Sequence, residues 1–239
     1  MTSATDRPAA DHIVSSLQHR ILTGEIEVGS WLRHSALAEE YGTSRTPVRE
    51  ALLVLASRGI VTIERNRGAQ VNGLSARDIR ELGDVRATLE GLAAELAADR
   101  ITDIQTEALL ASLEDYEKTA ARIAARSPKA RSSGRSGGDA GRWAESNESF
   151  HRIILEAAGN RNLTETLELI HSKLPNNTAY VAYVNSSRLL ERNVKEHRKI
   201  GRAIADHDGD AARRAMTEHV RNSIEAVVRW AEDRHQVRN

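Results

Sequence analysis

The sequence predicts a mostly α protein: three helices and a β-hairpin over residues 8–74, then an all-α six-helix bundle over residues 75–239. Three observations carry this expectation. Aromatic residues make up only 3% of the chain, so the core is built from Leu, Ile, Val and Ala, a composition that favours helices over strands. Near the end of the first stretch, "IVTIER" and "AQVNG" are short β-branched runs split by "NRG", a hairpin signal. From Ser75 onward apolar positions recur at helical spacing, and no strand signal appears.

The first helix lies within residues 11–24, where Ile13, Leu17 and Ile21 share one face and Gly24 ends it. Leu37 and Ala38, with Tyr41, carry a second short helix stopped by Gly42. Thr43 or Ser44 caps a third, which runs through "VREALLVLASRG" to Gly59. The hairpin follows. The later helices are expected near 76–99, 103–125, 141–158, 161–184, 188–206 and 209–235, punctuated by Thr102/Asp103, Gly159/Asn160 and Gly209. Residues 126–140, "RSPKARSSGRSGGDA", are rich in Ser, Gly and Arg, lack an apolar pattern and read as a flexible, solvated loop.

The totals narrow the function classes. Lys and Arg together number 34, as do Asp and Glu, so net charge gives no sign of a nucleic-acid partner and any such case rests on local placement. The chain has no cysteine, which excludes disulfides, thiolate metal sites and cysteine nucleophiles. No secretory signal and no apolar run of membrane-spanning length is evident, so a soluble, cytoplasmic protein with no membrane partner is expected.

Local placement does carry a nucleic-acid signal. Two short helices joined by a tight turn, with hydroxyls and arginines opening the second, describe a helix-turn-helix whose second helix enters the major groove. Arg45 and Arg49 are four apart and project from one face, while Val48, Leu52 and Leu55 occupy the other. An arginine there can bond guanine bidentately or reach a phosphate. Pro47 is tolerated because the first helical turn needs no N–H donors. Thr43, Ser44 and Thr46 supply hydroxyls for capping or for phosphates. The hairpin then forms a wing, with cations Arg65 and Arg67 at its tip beside Gly68. The fold expected is an N-terminal winged helix-turn-helix binding double-stranded DNA, followed by the helical bundle. The alternative reading of Arg45 and Arg49 is a solvated face on a packing helix.

The run "LAEEYGTSRTPVREALLVLASRGIVTIERNRGAQV" resembles the winged helix of the GntR family of bacterial transcription regulators, over about residues 11–74. The resemblance implies that Arg45, Thr46 and Arg49 contact DNA and that the Arg67–Gly68 tip enters the minor groove. One position departs: Ser35 stands where the family often has an arginine, which leaves Arg33 or His34 as substitutes.

In the helical part, three of the nine histidines follow a common pattern. His151, His197 and His219 each lie on the apolar stripe of a different predicted helix. Buried imidazoles are costly unless paired, and one divalent ion, Zn or Ni, satisfies all three together. Any one of them alone is more often a core histidine bonded to a carbonyl. Asn147, four residues before His151, faces the same cavity.

This region resembles the all-helical FCD effector-binding domain of the FadR branch, over about residues 78–235, on "VRATLEGLAAELAA", "NESFHRIILEAAGN" and "EHRKIGRAIADHDGDAARRAM". Six helices suggest its shorter, VanR-like variety. The resemblance implies an aspartate and three histidines holding a divalent metal beneath a small carboxylate effector. His151, His197 and His219 match the histidines, and Asn147 stands at the aspartate position. An amide brings no charge, which leaves open weak ligation, ligation through water, or a hydrogen bond to the effector. Arg86 matches the arginine that points into the pocket, with an ion pair to Glu90, four residues on, as its alternative role.

The function these features imply is a ligand-responsive regulator, a repressor, not an enzyme. It binds a pseudo-palindromic operator as a homodimer and changes its DNA affinity with a small organic acid. The competing class is a metal-dependent hydrolase using the three histidines and a water. That class needs a general base, and Glu148, Glu196 and Glu218 are all expected to point away from the histidine faces.

Overall fold

The computed structural model describes residues 6–22, 24–72, 76–126, 137–173, 183 and 186–238. The chain divides into two compact units: the first comprises Met1–Ile79 with His171–Asn176 and Arg229–Asn239, the second Arg80–Ile170 with Asn177–Val228.

The first unit contains α1 (Asp6–Leu22), β1 (Trp31–Leu32), α2 (His34–Glu40), α3 (Arg45–Ser57), β2 (Val61–Glu64) and β3 (Gly68–Val71). Ile13, Val14, Leu17 and Ile21 of α1 meet Leu37 and Ala38 of α2 and Val48, Ala51, Leu52 and Leu55 of α3 in one core. This is the helical spacing of the sequence turned into a shared face. Arg20 clamps the edge of this core. Its Nε reaches Glu25 at 2.7 Å and its Nη1 reaches Glu40 at 2.5 Å, while Tyr41 donates to Ser16 Oγ at 2.8 Å.

The hairpin forms as the β-branched runs predict, with Val61 opposite Val71 and Glu64 opposite Gly68. A third strand joins it. β1 pairs antiparallel with β3, Trp31 opposite Gln70 and Leu32 opposite Ala69, giving the order β1-β3-β2. The wing tip turns on Asn66, whose φ is 66°, and on Gly68, whose φ is 108°. Gly68 is required twice over: a Cβ there would also lie 2.3 Å from the carbonyl oxygen of Leu32.

The second unit is built from helices, some of whose ends belong to the first: α4 (Ala76–Arg100), α5 (Asp103–Ala124), α6 (Gly137–Ala158), α7 (Arg161–His171), α8 (Ser187–Ala205) and α9 (Gly209–Arg238). The six expected helices are present among the described residues, with two boundaries moved. α6 begins at Gly137, inside the expected loop, whose residues 127–136 lie outside the described ones. The fourth helix ends at His171 and not at 184; Ser172 and Lys173 turn, and 174–182 lie outside the described residues.

Small residues let α4 and α9 approach closely. A Cβ on Gly91 would fall 2.4 Å from Thr217 Oγ1, and one on Gly83 would fall 2.8 Å from Ile224. Thr217 uses that closeness to donate to the carbonyl of Ala87 at 3.2 Å. α5 opens on a capping box, with Thr102 accepting from the Gln105 N–H and the Gln105 side chain accepting from the Thr102 N–H. Asp208 caps α9 by accepting from the Ala211 N–H at 2.8 Å. The close crossing holds the facing sides of α4 and α9 together.

Candidate DNA-facing surface and metal centre

In the first unit, α3 starts from Ser44, whose extended backbone leaves its hydroxyl outside any cap hydrogen bond. Pro47 and Val48 turn into the core, so Arg45, Thr46 and Arg49 are left on the exposed side. Neither Arg45 nor Arg49 has an ion-pair partner among the described residues. Thr43 is half-buried and Ser44 exposed, beside the same helix start. Arg65 is exposed on the wing. Arg67 is exposed but held: its guanidinium lies 4.4 Å from the centre of the Trp31 ring, and its Nη1 is 3.1 Å from Glu64 Oε2. Between the wing tip and the start of α3 runs an open groove of about 470 Å³, lined by Trp31, Arg33, Ser35, Arg45, Asn66 and Arg67 among others. Ser35 therefore sits on the groove, with Arg33 and His34 beside it. Arg58 departs from this surface: it is half-buried and donates to Gln18 Oε1 at 2.9 Å, and burial lowers its pKa.

In the second unit, His151 comes from α6, His197 from α8 and His219 from α9. Each offers a ring nitrogen, and these atoms lie within 4.8 Å of one another. The exposure of the three is uneven: the His197 side chain is fully enclosed, the His219 side chain is 6% exposed and that of His151 is 19% exposed. Burial, and then the neighbouring His219 and His151, push the His197 pKa well down, so this ring is neutral near pH 7.

Each ring has an oxygen at Nδ1. That of His197 donates to the carbonyl of Asn193 at 2.9 Å, and that of His219 is 3.0 Å from Glu196 Oε2. The Nδ1 of His151 is 3.8 Å from Glu90 Oε2. A neutral imidazole carries one N–H, so a ring that donates through Nδ1 presents a bare lone pair at Nε2. For His197 that lone pair meets the Asn147 side-chain oxygen at 3.0 Å. Two acceptors at hydrogen-bond distance repel. Either the Asn147 amide turns its NH₂ inward or a cation stands between the two atoms. The donor set fits a divalent ion: imidazoles on three separate helices, that of His219 with a carboxylate 3.0 Å from its Nδ1.

Arg86 takes the alternative role foreseen for it. Both its Nε and its Nη2 reach Glu90 Oε1, at 3.0 and 2.9 Å, and the Glu90 side chain is 6% exposed. Glu90 thus links Arg86 to His151, a link the i, i+4 spacing alone does not reveal.

Glu196 corrects the expectation from sequence. It leaves the face of His197, as helical geometry requires, but the crossing of α9 brings His219 to meet it. Glu148 and Glu218 are exposed, and Glu218 pairs with Lys199 at 3.2 Å. The aromatic wall was also missed. Of only eight aromatic residues in the chain, Tyr116, Trp143, Phe150 and Tyr183 gather here. Tyr116 stacks on His197 with centroids 4.2 Å apart and bonds Asn193 Oδ1; Phe150 lies 5.0 Å from the same ring. These residues are scattered in sequence, and no spacing announces them.

Comparison with known proteins places both regions. The profile described as "Bacterial regulatory proteins, gntR family" matches residues 9–71, and the FCD domain profile matches residues 81–222. The chain is 27% identical over 221 residues to the HTH-type transcriptional repressor RspR of Escherichia coli, covering 92% of this chain and 90% of that one. It is 28% identical to the HTH-type transcriptional regulator LutR of Bacillus subtilis, covering 90% and 100%. A gluconate operon transcriptional repressor of B. subtilis shares 42% identity over 101 residues, 42% of this chain and 40% of that one. The solved structure of E. coli McbR/YncC shares the fold over 100% of both chains, with a TM-score of 0.65 at 21% identity. The arginines of the exposed α3 face lie inside the first matched segment, and the three histidines, Asn147 and Arg86 inside the second. No helix among the described residues is long and apolar enough to cross a membrane. The chain belongs to the GntR family of bacterial transcription regulators, with an FCD domain following its winged helix.

Proposed function

We propose that this regulator is a cytoplasmic homodimeric repressor that binds a pseudo-palindromic operator, with a divalent ion and a small organic acid in its FCD domain setting its DNA affinity. Arg45, Thr46 and Arg49 face base edges in the major groove; Thr43 and Ser44 offer hydroxyls to phosphates; Arg65, Arg67 and Gly68 bring the wing tip to the minor groove. Two copies related by a two-fold axis meet two half-sites.

His151, His197 and His219 hold the ion, with Asn147 Oδ1 as the fourth protein ligand. Nitrogen donors of this kind suit Zn or Ni. When bound, the ion supplies positive charge that attracts a carboxylate. Arg86 reads the acid by exchanging its Glu90 partner for it. An acid that favours one arrangement of the helices shifts the dimer towards that arrangement, and the difference appears as altered operator affinity.

The observation that carries this reading is the convergence of ring nitrogens from His151, His197 and His219, on three separate helices, to within 4.8 Å of one another. The test is a gel shift on DNA from the protein's own upstream region, with metal-loaded and chelated protein, with and without a panel of small organic acids. Sequence-specific retardation that one acid weakens supports it. Retardation no different from that of unrelated DNA under every condition overturns it.

A further inference from the structure

We infer that Glu196 is a positioning residue for the metal centre: it fixes the tautomer and orientation of His219 and so sets the affinity of the site. The inference rests on the metal reading above. It does not follow from the match between His219 and a family ligand, because Glu196 lies on a different helix.

The geometry carries it. Glu196 Oε2 is 3.0 Å from His219 Nδ1, and its Oε1 accepts from Asn222 Nδ2 at 2.8 Å. Arg192 Nε stands 3.3 Å from the same Oε1. The carboxylate side chain is 12% exposed and that of His219 6%, so little water competes for the bond. A carboxylate on Nδ1 holds the proton there and leaves the Nε2 lone pair for a ligand. It also draws proton density from the ring, which makes Nε2 a stronger donor. The Nδ1 of His151 is 3.8 Å from Glu90 Oε2, and that of His197 donates to the carbonyl of Asn193 at 2.9 Å. Asn222 and Arg192 in turn keep the carboxylate from rotating, so α8 and α9 together present one oriented imidazole.

The competing explanation is that Glu196 merely ties α8 to α9 through Asn222. The experiment separates the two. Full-length protein stripped with chelator is titrated with Co²⁺ alone and followed by its d–d absorption, with thermal melts of the stripped forms alongside. Glu196→Gln keeps the shape but removes the charge, and it should bind Co²⁺ about 10–100-fold more weakly with an altered band shape. Asn222→Ala cuts the helix tie but leaves the carboxylate on His219, and it should bind Co²⁺ close to wild type while melting lower. Should Glu196→Gln fail to fold, Glu196→Asp, which withdraws the carboxylate by one methylene, should show the same loss. Equal Co²⁺ affinity in wild type and the Glu196 variants overturns the inference. So does equal weakening by Glu196→Gln and Asn222→Ala, which would mark a structural tie. If the wild-type protein takes up no Co²⁺, the metal reading itself falls, and the inference with it.

Discussion

The guanidinium of Arg67 sits 4.4 Å from the centre of the Trp31 ring, so the two-residue strand β1 supplies an aromatic platform for the tip of the wing. Glu64 holds the same guanidinium from the side at 3.1 Å. An arginine pre-set in this way loses less freedom when it meets DNA. A cation–π contact at an exposed site is worth about 0.5–1 kcal/mol. Trp31→Ala should therefore weaken DNA binding by about two- to fivefold, and Trp31→Phe should restore most of it. Fluorescence anisotropy on a labelled operator duplex reads both; equal binding by Trp31→Ala and wild type would show that the platform is idle.

Arg49 stands exposed on α3 with no ion-pair partner among the described residues, ready for a base edge or a phosphate. Arg49→Ala should cost about 1–3 kcal/mol of specific binding if it reads a base. If it touches a phosphate instead, affinity falls evenly across sequences and the salt slope drops by about one. Binding isotherms at several salt concentrations distinguish these outcomes, and an unchanged isotherm would place the reading surface elsewhere.

Gly68 joins a positive φ of 108° to a close approach on the Leu32 carbonyl. Gly68→Ala should destabilise the winged unit by about 1–3 kcal/mol through backbone strain alone, with a further cost as β1 moves off β3. Denaturant unfolding measures this. DNA affinity should fall with it, because the wing and the groove share that junction.

Much of this architecture can be read from the amino-acid order. The third helix is legible because Val48, Leu52 and Leu55 repeat at helical spacing opposite Arg45 and Arg49, and all three apolar residues are fully buried. The histidine trio is legible for the same reason: each imidazole follows the apolar stripe of its own helix, and the ring nitrogens converge within 4.8 Å. β1 escapes because two residues cannot show an alternating pattern, and its pairing is decided by β3. Glu196 escapes for a related reason. The face of α8 it leaves is predictable, but the helix waiting on that side depends on how α9 crosses, which small residues such as Gly83 and Gly91 set. Contacts made along one element are written in its period; contacts made across elements are written in packing.

Asn147 offers a direct chemical test, since its side-chain oxygen already faces the His197 lone pair. Asn147→Asp adds a negative charge beside the neutral His197 ring. Metal affinity should rise by about tenfold or more, equal to at least about 1.4 kcal/mol, and the chelated variant should melt lower because its partly buried carboxylate has lost its cation. Calorimetric titration with Zn²⁺ and a melt in chelator measure the two. A variant that binds Zn²⁺ no better, and melts unchanged without it, would mean that Asn147 turns its amide hydrogens inward and ligates nothing.

The most direct test is the metal content of purified protein after dialysis against equimolar Zn²⁺ and Ni²⁺, measured by plasma mass spectrometry. The comparison is with His151→Ala, the most exposed of the three histidines at 19%. The account predicts one ion per chain in the wild-type protein and its loss in the variant. A wild-type protein that carries no metal above buffer, or a variant that keeps it, would contradict the account.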